Sequence, residues 1–183
     1  MHTGKLLLHP PHQNPACDPG ALEARLQTLG LIGAALEPPG AAYLAGPRFM
    51  QLITFMGCSP FLRLAPEHDQ DRSFCHLRLS GDGQTLRFRS GHNTRPPHCP
   101  LCRARIEQWP ALMQAWRSTA PCRCPGCGVE LDPTRLRWGR GAGFGRRFIE
   151  IVGVFPGEAV PTPALLDSLG DGAAPWGYFY IQE

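Results

Sequence analysis

His98-Cys99-Pro100-Leu101-Cys102-Arg103 and, further on, Cys122-Arg123-Cys124-Pro125-Gly126-Cys127-Gly128 open and close the segment that decides how this chain folds. Each half carries a C-x-x-C pair, Cys99/Cys102 and Cys124/Cys127, with proline after the first cysteine of the pair. Proline sets φ at such a turn, and Gly128 permits the positive φ with which a backbone doubles back. Two turns of this kind can aim four sulfurs at one point. Zn²⁺ suits that donor set, because it imposes no geometry of its own and accepts four thiolates at ~2.3 Å. The interval between the pairs is 21 residues, slightly beyond the usual ~15–20. It has room for a helix.

The run Cys124-Pro125-Gly126-Cys127-Gly128 resembles the knuckles of zinc-ribbon and rubredoxin-like modules. The resemblance covers residues 98–128 and implies a metal-held fold, not an activity. The expected ligands of one structural Zn²⁺ are Cys99, Cys102, Cys124 and Cys127, with His98 and Cys122 as flanking or alternate groups. Two other chemistries compete for the same cysteines, a disulfide framework and a thioredoxin-like redox pair. Cys99 and Cys102 directly precede a helical pattern, and a helix N-terminus lowers a thiol pKa. The second pair has no role in such a mechanism.

The charge is unevenly spread. Residues 84–147 hold twelve arginines against Glu107, Glu130 and Asp132, a balance of +9, while the whole chain of 183 residues carries only +3. Only Lys5 among the 18 cations is a lysine. A GC-rich genome would produce that arginine bias, but not the clustering. The length allows one domain with a real core, and 21 glycines and 20 prolines point to many turns. A single domain over residues 1–183 is expected, with a zinc-binding insertion at 98–128. No secretory signal is visible, and the longest uncharged apolar stretch, Phe49 to Leu62, is too short to span a bilayer. A cytoplasmic, membrane-free location is therefore expected, and it favours free or metal-bound thiols over disulfides.

Residues 1–17, with His2, His9 and His12, read as a flexible tail that lacks regular ligand spacing. Asp18-Pro19 then caps a helix bearing Leu22, Leu26 and Leu29, ended by Gly30. Leu31–Leu36 and Phe49–Met56 read as buried strands around the breaker Pro38-Pro39-Gly40. Gly57-Cys58-Ser59-Pro60 ends the second. Cys58 sits where a nucleophile can sit, but no partner base is identifiable. Phe74–Leu79 and Thr85–Arg89 read as a hairpin turning at Asp82-Gly83. Cys75 and His76 would point to opposite faces of it and make a poor dyad.

Between the knuckles, Ile106, Trp109, Leu112, Met113 and Trp116 form one helical stripe, divided by Pro110. It reads as core more readily than as a stacking surface. Leu131–Trp138 is expected to be an extended arm, and Arg137–Phe148, with glycine at 139, 141, 143 and 145, a mobile loop. This spacing does not match G-x-G-x-x-G. Phe148–Phe155 and Trp176–Ile181 read as strands flanking a short helix from Thr162-Pro163 to Leu169. The last strand puts Trp176, Tyr178 and Tyr180 on one face.

The fold class expected is α+β, a mainly antiparallel sheet with an inserted four-cysteine zinc-ribbon unit that contains a helix. The expected role is a non-enzymatic binding protein whose basic zinc segment meets nucleic acid or an acidic protein partner. No small-molecule cofactor is expected. Arg87, Arg89, Arg137, Arg140, Arg146, Arg147 and Phe144 are the expected binding surface, the glycine-spaced arginines and aromatics being able to follow a phosphate backbone. Metal handling or accessory assembly, and thiol redox chemistry through Cys99 and Cys102, are the alternatives.

Overall fold

A computed structural model describes residues 4–11, 18–36, 42–56, 62–68, 71, 73–116, 122–170, 172 and 174–183. His2, His12, the Pro38-Pro39-Gly40 breaker and Cys58 lie outside these residues. The first half of the chain forms β1 (Gly4–His9), α1 (Pro19–Leu29), β2 (Ile32–Ala35), β3 (Ala42–Ala45), α2 (Phe49–Leu52), β4 (Ile53–Phe55), β5 (His76–Ser80) and β6 (Arg87–Ser90). The second half forms α3 (Trp109–Ala115), β7 (Cys122–Arg123), β8 (Glu130–Leu131), β9 (Ala142–Gly145), β10 (Phe148–Val152), β11 (Ala159–Pro161), α4 (Pro163–Gly170) and β12 (Gly177–Gln182). The class is α+β. A six-stranded sheet in the order β12-β1-β10-β5-β3-β2 dominates, and every pairing in it is antiparallel.

One face of this sheet, through Leu6, Leu8, Leu77, Ile149 and Ile151, packs with Leu22 and Leu26 of α1 and Leu165 and Leu169 of α4. α1 obeys its local signals closely: the Asp18 carboxylate accepts from the Ala21 N–H at 2.8 Å and Gly30 closes the helix at φ 72°. The other face carries Leu7, Phe148, Phe179 and Ile181. Because successive side chains alternate, Leu6 and Leu8 serve the first core while Leu7 serves the second. Residues 4–9 are therefore not a flexible tail. β1 lies between β10 and β12, and its three leucines are fully buried.

Several local expectations are overruled by pairing partners distant in sequence. β5 and β6 do not form a hairpin. Both edges of β5 are taken, by β10 and β3, so β6 pairs with β9 instead. The Asp82 carboxylate holds the intervening turn by accepting from the Gln84 and Thr85 N–H groups at 2.8 and 2.7 Å. Phe49–Met56 is half strand: Phe49–Leu52 is a helical turn, and only Ile53–Phe55 pairs, with β11. Leu131–Trp138 is no extended arm. Asp132 caps a 3-10 turn at Pro133–Arg135, and the Trp138 indole N–H donates to the Pro133 carbonyl at 2.8 Å.

The expected mobile loop around 139–145 contains β9, whose four residues are all buried. Its glycines face the large sheet. A Cβ on Gly143 would come within 2.5 Å of the Phe179 ring, and one on Gly145 within 2.7 Å of Phe148. Ala142 and Phe144 point the opposite way, into a second core shared with Phe88, Trp138 and Leu136. Thus β6 and β9 form a thin layer between the six-stranded sheet and the cysteine-bearing lobe.

Candidate metal centre

The two knuckles are near copies. In the first, the Cys99 N–H donates to the Ala104 carbonyl at 2.9 Å and the Arg103 N–H to the Cys99 carbonyl at 3.1 Å. In the second, the Cys124 N–H donates to Val129 at 2.8 Å and the Gly128 N–H to Cys124 at 2.9 Å. Both turns need a left-handed residue after the second cysteine, Arg103 at φ 62° and Gly128 at φ 72°. Gly126 stays small because a Cβ there would meet the Ala104 Cβ at 2.8 Å and the Cys102 sulfur at 3.2 Å.

These turns bring Cys99, Cys102, Cys124 and Cys127 together, with all four sulfurs within 4.8 Å of one another. Cys99 Sγ lies 3.9 Å from Cys127 Sγ, and Cys102 Sγ 3.5 Å from Cys124 Sγ. Four thiolates bound at ~2.3 Å around one ion stand about 3.8 Å apart. The cluster is therefore close to the size that a four-thiolate ion site requires. Both close sulfur pairs cross from one knuckle to the other. Cys99 and Cys124 are buried in the lobe's core, while Cys102 and Cys127 reach the surface.

The facing thiols of Cys102 and Cys124 are not equivalent. Backbone N–H groups of Cys127 and Gly126 aimed at the Cys124 sulfur pull its thiol down to about 6. The Ala104 N–H favours the Cys102 thiolate in the same way, yet the facing Cys124, burial and the other two sulfurs push Cys102 up to about 12. A dication held by the four sulfurs would favour the thiolate form of each of them.

His98 and Cys122 are not in the cluster. His98 is exposed, and its backbone exchanges hydrogen bonds with Arg137. Cys122 lies in β7 opposite Leu131, half-buried against the lobe's core. The helix expected directly after Cys102 starts later, at Trp109. The lobe is wider than residues 98–128, since its core draws on Leu86 and Phe88 before them and on Leu131 to Phe144 after them. Trp109 and Trp116 are core-facing, 5.5 Å from Trp138 and 4.9 Å from Phe144 by ring centroid.

The expected binding surface is largely engaged internally. Phe144 is 5% exposed, in the aromatic cluster, and Arg147 is also 5% exposed. Arg89 pairs with Glu150 at 2.8 Å and stacks over Phe148, because β6 turns this face toward the large sheet. Arg87 pairs with Asp82 at 3.0 Å, and Arg146 donates to the Gln84 carbonyl. Arg140 stacks on Tyr178, and Arg137 remains exposed. Two signals in the sequence gain their meaning from the fold: glycine at alternate positions from 139 to 145 marks one face of a strand, and Cys-Pro-x-Cys-Arg-Ala can be aligned with Cys-Pro-x-Cys-Gly-Val.

No helix among the described residues is long and apolar enough to cross a membrane. Compared with known proteins, the chain matches no family model, no curated protein and no solved structure, so its architecture and its four-cysteine centre have to be read from its own residues.

Proposed function

We propose that the four thiolates hold one structural Zn²⁺, and that this ion fastens an arginine-bearing lobe which binds nucleic acid without catalysing a reaction. The observation that carries this reading is the mutual approach of the four sulfurs, all within 4.8 Å. Four protein ligands close the coordination sphere, whereas a catalytic zinc keeps a position open for water or substrate. The start of α3 at Trp109, not directly after Cys102, weakens the usual support for a redox pair. Nucleic acid is supported by exposed arginines at positions 95, 103, 105, 123, 135, 137 and 140, all within the segment of net charge +9.

Metal content per chain tests the first half. The expected result is one zinc in the wild type and none retained by Cys124→Ser. Stoichiometric iron, or metal-free protein with an ionised Cys99 or Cys102, would overturn it. Oligonucleotide binding tests the second half, and its affinity should fall with salt at a log–log slope of about −0.7 per phosphate neutralised on single strands. Binding to an acidic peptide but not to any oligonucleotide would replace nucleic acid with a protein partner.

A further inference from the structure

Where the lobe meets the β12 edge, the surface sinks into a groove of about 500 Å³, within the ~300–1,000 Å³ of pockets that take small ligands. Arg95, His98, Arg137 and Arg140 line it, and no carboxylate does. Trp138 and Tyr180 supply an apolar floor. The walls are held by backbone: His98 and Arg137 exchange N–H to carbonyl bonds at 3.0 and 2.9 Å, and the Tyr180 N–H donates to Arg140 at 2.9 Å.

The cations differ in how they are held. The Arg140 guanidinium lies 4.5 Å over the Tyr178 ring and donates to its hydroxyl, which fixes one charge in place. Arg95 and Arg137 are exposed, and among the described residues neither has an ion-pair partner. Three guanidinium groups gathered without a counter-charge repel one another, and an anion relieves that repulsion. Guanidinium forks match phosphate oxygens, and an apolar floor suits the flat face of a base.

We infer that this groove binds a phosphorylated nucleotide unit, its phosphate on Arg95, Arg137 and Arg140 and its base against the floor. The inference locates the contact for the nucleic-acid reading above and rests on it in so far as the unit belongs to a strand. A free nucleotide offers the same chemistry.

The experiment measures binding of a short oligothymidylate, of ADP and of polyglutamate to the full-length, zinc-loaded protein. The groove variant Arg95→Glu/Arg137→Glu is compared with Arg123→Glu/Arg135→Glu, an equal charge change at exposed arginines outside the groove. Zinc content and circular dichroism establish that each variant is folded. The groove variant should lose at least about tenfold in affinity, the worth of one charge-assisted hydrogen bond. Its salt slope should become shallower by about 0.7 for each arginine removed. The control should lose distinctly less. Equal losses in both variants would overturn the groove and leave the nucleic-acid reading standing. ADP binding that depends on the groove, with no oligonucleotide binding, would support the groove and remove that reading. Binding of polyglutamate alone would overturn the phosphate assignment, and no binding of any probe would overturn both.

Discussion

At Gly128 and Gly143 the same residue type serves two different physical ends, and substitution separates them. A Cβ on Gly128 would meet no heavy atom within 4 Å, but the residue sits at φ 72°. Gly128→Ala should therefore cost about 1 kcal/mol, the penalty for a left-handed L-residue. Gly143 lies in a strand, where the obstacle is the Phe179 ring at 2.5 Å. Gly143→Ala should cost about 1–3 kcal/mol through overpacking. Chemical denaturation of both variants measures the difference, and equal costs with Phe179→Leu restoring neither would contradict the assignment.

Glu150 is the other residue with a measurable signature. It is 3% exposed, accepts from the Ser80 hydroxyl and Arg89, and lies 3.8 Å from Lys5. Burial pushes its carboxyl up, but Ser80, Arg89 and Lys5 together hold it below the usual carboxylate range. A folded pKa below the unfolded value means that the stabilisation is complete above about 4.5 and is lost as pH falls through the folded pKa. Glu150→Gln should cost roughly 2 kcal/mol at neutral pH, less than the ~3–5 typical of a broken buried pair, because Arg89 retains solvent contact. The gap between the two proteins should close below that pH. A pH-independent gap would show that the ion pairs are not its source.

Among the elements, β9 separates the sheet from the cysteine-bearing lobe, and its two faces are unequally legible in the sequence. The knuckles and α1 can be read because every determinant is local: Cys-Pro-x-Cys for the first, Asp18-Pro19 and Gly30 for the second. β1 and β9 cannot. Leu6, Leu7 and Leu8 serve two cores at once, so no alternation of apolar and polar residues announces the strand. Glycine on one face of β9 imitates a loop until Phe148 and Phe179 are known to lie against it. Likewise the Asp82-Gly83 turn is visible, while the fact that β10 and β3 already occupy both edges of β5 is not. Phe144, on the lobe side of β9, touches Phe88 and Trp116 at centroid distances of 4.9 Å. Phe144→Ala should cost about 3–5 kcal/mol, the usual penalty for emptying a buried aromatic site. Reduced thermal stability with zinc content unchanged is the expected readout.

For the whole molecule, the partition into a sheet and a cysteine-bearing lobe, with the metal proposed above, predicts unequal responses to chelation. Trp109, Trp116 and Trp138 belong to the lobe, whereas Trp176 packs in the sheet's helix-covered core. Apparent zinc binding of roughly 10–16 kcal/mol in small domains rivals an entire domain's stability. Removing the metal should therefore raise amide exchange across residues 98–138 while β1 and β10 keep their protection. Uniform loss of protection would mean that the sheet also depends on the ion. Asn93 links the two parts, donating to the Tyr180 carbonyl at 3.0 Å and accepting from the Gln182 N–H at 2.9 Å. It also helps to cover the otherwise open edge of β12.

The pairing of β1 with β12, Gly4 opposite Gln182 and His9 opposite Gly177, has a consequence for biosynthesis. At ~5–20 residues per second, the ribosome delivers the two strands on the order of ten seconds apart. For most of that delay Leu6, Leu7 and Leu8 have neither of their final neighbours, since β10 also emerges late. The nascent polypeptide must therefore wait with three leucines of a central strand unprotected, a period in which exposed apolar surface favours aggregation.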